Sequence, residues 1–172
     1  MKNKTFCIAE DYVNKIFDIL EAAERPMGFE DLTLLISPEI PLDTDDLPFI
    51  AINVYSGDEA DQTETKAMDN SGRFMVATSL IALNFRVNIT EQSNNGIKAI
   101  APLHKWAMRQ LMNSRDLKSM CQGPIIPAGW GKPYGDTHEI AGKGAIQMLK
   151  FRHVLDLSNA WNEIEVNPNP NP

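Results

Sequence analysis

Cysteine is nearly missing from this chain: Cys7 and Cys121 are the only two among 172 residues. Two thiols so far apart make no disulfide framework. Neither belongs to a Cys-x-x-Cys pair, so they point to a reducing compartment and to no zinc site. Long hydrophobic runs are missing as well. No stretch approaches the ~18 apolar residues that cross a bilayer as a helix, which predicts no membrane partner. Lys2 and Lys4 are followed by Glu10 and Asp11 rather than by the apolar core of a secretory signal. Positive charge is scarce: 16 Lys and Arg stand against 23 Asp and Glu, a net charge of −7. That balance argues against a protein held to nucleic acid by phosphate contacts. The rest is ordinary globular composition, 43% hydrophobic and 23% charged. A chain of this length buries roughly 70% of its unfolded surface. The expectation is one domain over residues 1–160. The tail 161–172, ending in three Asn-Pro pairs, has too little to bury and is expected to be disordered.

The charge is unevenly spread. Residues 1–47 carry four basic and eleven acidic side chains, and residues 56–70 add five acids and one lysine. Residues 97–120 run the other way, with Lys98, Lys105, Arg109, Arg115 and Lys118 against Asp116 alone. Charge runs are ordinarily solvated faces. The sharper reading is self-complementarity, an acidic edge of one subunit meeting a basic helix of the next, head to tail.

Periodicity predicts an α+β fold: a small, mostly antiparallel or mixed sheet of four to five strands packed by two main helices. Val13, Ile16, Phe17, Leu20 and Ala23 recur at helical spacing, with Glu10 and Asp11 in the first turn and Arg25-Pro26 as the stop. Residues 29–36 lean to a strand, and Phe49–Tyr55 is rich in β-branched and aromatic residues, as strands are. The polar segment 56–72 reads as a mobile loop. Residues 73–90 alternate strictly. One phase carries Met75, Ala77, Ile81, Leu83, Phe85, Val87 and Ile89; the other is apolar at Phe74, Val76 and Leu80 and polar at Asn84 and Arg86. Eighteen strand residues span ~60 Å, so either a break falls near Thr78-Ser79 or a long strand or hairpin projects. A second helix runs from about Ile97 to Asn113 on Ile100, His104, Ala107 and Leu111. Pro102 suits only the start of a helix, which shifts the expected first turn later. Residues 116–121 allow a helical turn, 123–135 form a Gly/Pro loop, 139–141 begin a strand, Gly142–Gly144 bend, and 145–157 form the last strand.

Catalytic constellations are missing too. Residues 126–133 look like a phosphate-binding loop only until Ile126 stands where glycine is needed and Pro133 where a hydroxyl is needed. Gly142-x-Gly144 lacks the third glycine of a dinucleotide fingerprint, since Gln147 holds that place. His104, His138 and His153 share no ligand spacing. His104 lies on the apolar stripe of its helix and reads as a hydrogen-bonded core histidine. Asp43, Asp45 and Asp46 lack the pattern of a calcium loop. No catalytic residue, cofactor or metal is expected.

The element order resembles that of the tail terminator proteins of long-tailed bacteriophages, the minor tail protein U or tail-completion family. The resemblance covers about residues 10–157. It rests on an amphipathic first helix, the strand Leu47-Pro48-Phe49-Ile50-Ala51-Ile52-Asn53-Val54-Tyr55 before an acidic loop, the long strand to Ile89, the helix from Ile97 and a closing strand. It implies a non-enzymatic virion protein, assembled in the host cytoplasm, that forms a homo-hexameric ring at the head-proximal end of the tail. The implied partners are further copies of itself, the tail tube protein, the neck or connector protein and, in contractile tails, the sheath. Genomic DNA would pass through the lumen without specific binding. Candidate subunit or tube contacts are Phe74, Val76 and Leu80 on the long strand and Lys105 and Arg109 on the second helix. Trp130, Lys132 and Tyr134 in the Gly/Pro loop and Asp58, Glu59 and Asp61 in the acidic loop complete the set. Two alternatives stay open within assembly, another connector or neck protein and a baseplate ring protein. Outside it stand a small cytosolic enzyme using His104 or His138 and a ligand-binding module around Trp130.

Overall fold

The computed structural model describes residues 9–36, 47–54, 66–67, 74–87, 96–130, 134–135 and 143–156. The order is α1 (Ala9–Glu21), β1 (Thr33–Ile36), β2 (Phe49–Val54), β3 (Lys66–Ala67), β4 (Phe74–Val87), α2 (Gly96–Asn113), α3 (Arg115–Met120), β5 (Ile126–Trp130), β6 (Tyr134–Gly135) and β7 (Lys143–Asp156). The strands form one mixed sheet in the order β1-β2-β4-β7-β5, with β3 added to β4 and β6 to β7. Only β1 and β2 run parallel; the other pairs are antiparallel. This is the α+β fold expected from the periodicities.

One phase of the strands builds the core. Ile50 and Ile52 of β2, Ile81, Leu83, Phe85 and Val87 of β4, and Ala145, Leu149 and Phe151 of β7 share a face. They form a single buried cluster with Tyr12, Val13, Ile16 and Leu20 of α1, Ile100, Leu103, Ala107 and Leu111 of α2, and Leu117 of α3. At roughly 25 cal/mol per Å2 of apolar area, this burial is the main source of stability. Tyr12 ties the layers together. Its ring stacks on Phe151 with centroids 4.5 Å apart, and its hydroxyl donates to the Met120 carbonyl at 3.0 Å.

Several local expectations are corrected. β4 runs unbroken through Thr78-Ser79, and all fourteen of its residues pair with β7, from Phe74↔Asp156 to Val87↔Lys143. Its long partner is remote in sequence, so the expected long hairpin is not confirmed; the neighbouring strand β3 pairs with it over two residues only. Asn84 and Arg86, the polar end of the second phase, are buried rather than facing water. Asn84 Nδ2 donates to Asn53 Oδ1 at 3.0 Å, and Phe49 and Ala51 are buried on that same face. Helix α1 ends at Glu21, before Arg25-Pro26. The Arg25 guanidinium caps it, donating to the Leu20 carbonyl at 2.7 Å and to the Glu21 carboxylate at 2.6 Å. Helix α2 begins at Gly96 and takes Pro102 into its interior. Pro102 lies on the exposed face, where water can satisfy the carbonyl it leaves without a donor.

Part of the Gly/Pro loop is strand β5, and part of the polar loop is strand β3. Pro127 is tolerated because β5 is an edge strand, and the register shift between Pro127 and Trp130 is a bulge in which Gly129 takes φ 90°. Lys143 and Gly144 of the expected bend instead begin β7, with Gly144 opposite Arg86, and Gly142 lies outside the described residues. The expected start of a strand at 139–141 and the tail 161–172 lie outside the described residues.

Candidate functional site

The long ladder of β4 and β7 places three of the predicted contacts. Phe74 stands opposite Asp156, and Val76 stands opposite Val154 on one side and Lys66 on the other. Leu80, half-buried, stands opposite Lys150, and Lys150 stands opposite Ile126 on β5. Leu80, Lys150 and Ile126 therefore make one row across three strands, on the sheet face away from the helices. Ile126 is 48% exposed. Pro124 and Pro127, which bracket Ile125-Ile126, hid this residue from pattern reading. Trp130 closes β5 opposite Gln147, and Tyr134 stands on β6 opposite Gly144. Asp58, Glu59, Asp61, Lys132 and His138 lie outside the described residues.

Lys105 and Arg109 stand elsewhere, on the helix layer. Helix α2 turns its apolar stripe to the sheet, so positions a half-turn away point outward. Lys98, Lys105 and Arg109 hold those positions and are exposed. Helix α1 does the same with the opposite charge, exposing Glu10, Asp18 and Glu21. α1 lies over β1, β2 and β4, and α2 lies over β4 and β7, in contact with α1. The Trp106 indole N–H donates to the Glu24 carbonyl at 2.9 Å, which holds the turn after α1 against the flank of α2. An acidic stripe and a basic stripe thus lie side by side on one surface.

The only histidine whose side chain is described is built into the fold. Gln147 Nε2 donates to the carbonyls of Gly129 and Met148, each at 2.8 Å. Its Oε1 is therefore left to accept, and His104 Nε2 lies 3.0 Å from it. The proton of neutral His104 accordingly sits on Nε2. The ring meets Phe85 edge-on at 5.5 Å. Burial lowers the His104 pKa below 6.5, and the Gln147 hydrogen bond offsets part of that. The Gln147 amide ties α2 to β7 and β5. The sequence singled out Gln147 only as the residue that breaks a glycine motif; its place opposite His104 depends on the β7 register. Among the described residues, no group of three or more His, Cys, Asp or Glu is placed to hold a metal ion, and no helix is long and apolar enough to cross a membrane.

No family model and no curated protein matches this chain.

Proposed function

We propose that this protein is a non-enzymatic assembly subunit: a tail terminator that forms a ring of six at the head-proximal end of a phage tail tube. The ring stops tube growth and offers the neck its joining surface. One observation supports this reading above the others. Of the elements on which the resemblance rests, β2, β4 and β7 join in one mixed sheet with the long strand at its centre, and α1 and α2 pack against it. The partners are further copies of the chain, the tube protein, the neck protein and, in a contractile tail, the sheath. DNA passes through the lumen unbound. The ring contact is assigned to the apolar start of β4, Phe74, Val76 and Leu80, together with Ile126. On β4 these residues lie beyond the reach of β2, which ends opposite Ile81; past that point, among the described residues, only the two-residue strand β3 pairs with β4 on that side.

The test is polymerisation of purified tube protein with and without this chain. The expected result is tubes of limited length that carry a six-fold ring at one end. Growth that continues unchanged overturns the terminator reading and returns the chain to the connector, baseplate and enzyme alternatives.

A further inference from the structure

The two edges of the sheet are built differently. On β5, Pro127 lacks a donor and the bulge before Trp130 breaks the register, so that edge resists a further strand. β1, at the other edge, reads Thr33-Leu34-Leu35-Ile36 and carries no proline, no charge and no bulge. The Thr33 N–H donates to the Pro48 carbonyl at 3.0 Å, so Thr33 and, two residues on, Leu35 turn their N–H and C=O groups to β2. Leu34 and Ile36 turn theirs to the outer side, where no described strand lies. Two donors and two acceptors stand there at strand spacing. Beside them the Ile36 side chain is 49% exposed, and Leu35 is half-buried.

Charge selects what this edge takes. Helix α1 packs on β1, and residues 9–36, which frame the edge, hold seven acids against Lys15 and Arg25, a net charge of −5. Arg25 is already paired with Glu21. Glu30 and Asp31, just before the strand, are both exposed. A second copy pairing β1 with β1 brings the same negative frame to the contact and is opposed by like charge. The β5 edge of a second copy is closed to it by Pro127 and the bulge.

We propose that β1 is a docking edge for an extended, cationic segment of a partner protein. The segment adds as a strand beside β1 and closes main-chain hydrogen bonds with Leu34 and Ile36. One of its apolar side chains covers Ile36, and its Lys or Arg side chains lie near Glu30 and Asp31. Four residues of edge give few bonds, so the affinity is modest and depends on the charges. This inference does not rest on the terminator reading, and the ring contact assigned to β4 and β5 lies on other strands.

Amide hydrogen exchange of the full chain, read residue by residue, tests it with three synthetic probes. The first is a nonapeptide of alternating Lys and Val; the second has Glu for Lys; the third keeps the Lys residues and has Pro for the central Val residues. In the free, dilute chain, Thr33 and Leu35 are expected to exchange slowly and Leu34 and Ile36 fast. The Lys/Val probe at ~1 mM, which fills even a site of ~0.1 mM affinity, slows Leu34 and Ile36 at least ~tenfold. The Glu and Pro probes leave them fast. Glu30→Lys with Asp31→Lys, both at exposed positions, removes the advantage of the Lys/Val probe over the Glu probe, and an unchanged urea midpoint shows that the variant folds. Leu34 and Ile36 amides already slow in the dilute chain mean that the chain covers its own edge. Slowing that grows with chain concentration gives the edge to a second copy. Equal slowing by the Pro probe reduces the effect to charge attraction, and equal slowing by the Glu probe removes the charge selection. Each of these results, or no slowing by the Lys/Val probe, overturns the proposal. Tube capping is read separately, so loss of the terminator reading leaves this result intact.

Discussion

His104 shows how one residue couples a helix to two strands and makes the fold sensitive to acid. Its ring is partly desolvated, and its Nε2 proton is given to Gln147, which in turn holds Gly129 of the edge strand. Burial favours the neutral imidazole and lowers its pKa from 6.5. The folded state therefore binds protons less readily than the unfolded chain. The contribution is complete above pH 6.5 and declines as pH falls from there through the lower folded value. Urea unfolding from about pH 7.5 down to 5.5, above the range in which carboxylates titrate, is expected to show a falling midpoint. His104→Gln removes the titrating group and flattens that fall. A slope unchanged by the substitution sinks the assignment. That His104 is a core residue was legible from its place on the helix stripe. Its partner was not, because Gln147 reaches it only through a strand register that pairs residues more than forty apart in sequence.

At the scale of elements, Pro102 is the clearest local conflict. It is the seventh residue of α2, where a proline removes a hydrogen bond and crowds the preceding turn, at ~3 kcal/mol in model helices. Tertiary packing prevails, since Ile100, Leu103, Ala107 and Leu111 are all fully buried and hold the helix through it. Pro102→Ala restores the donor on an exposed face but loosens the unfolded chain, a cost of ~0.4–1 kcal/mol. The net expectation is a gain of about 2–2.5 kcal/mol in urea denaturation. No gain would mean that the core around Leu103 has adapted to a bend in the helix. The same contest explains which elements could be read in advance. α1, β2, β4 and β7 carry a strong period in their own residues. β5 carries none: Ile-Pro-Ala-Gly-Trp becomes a strand because β7 offers it an edge. Arg86 misleads for a related reason. A polar residue at the end of an alternating strand normally faces water, but β4 lies inside the sheet and both of its faces are buried over residues 81–87.

For the whole molecule, the question is which surfaces meet other molecules. The composition of the exposed α2 positions was legible, since Lys98, Lys105 and Arg109 avoid the apolar stripe. Their direction relative to the acidic α1 face was not, because it follows from how the two helices share one side of the sheet. The opposite face holds the row Leu80, Lys150 and Ile126, which the terminator reading assigns to the ring contact. Leu80→Asp separates that assignment from simple stability. Leu80 is only half-buried, and its cross-strand neighbour is Lys150. An aspartate there gains an opposite-charge pair worth ~0.2–1 kcal/mol that offsets part of the lost burial. The subunit is expected to stay folded, within about 1–2 kcal/mol of the wild type in urea. An apolar contact with a neighbouring copy, by contrast, is replaced by a charge that must be desolvated on assembly. Tubes grown with Leu80→Asp should lack terminal rings and run to uncontrolled length. Ile126→Asp, at a more exposed position in the same row, provides the same reading if the first variant is unstable. Normal capping by a folded Ile126→Asp together with normal capping by Leu80→Asp would move the ring contact off this face.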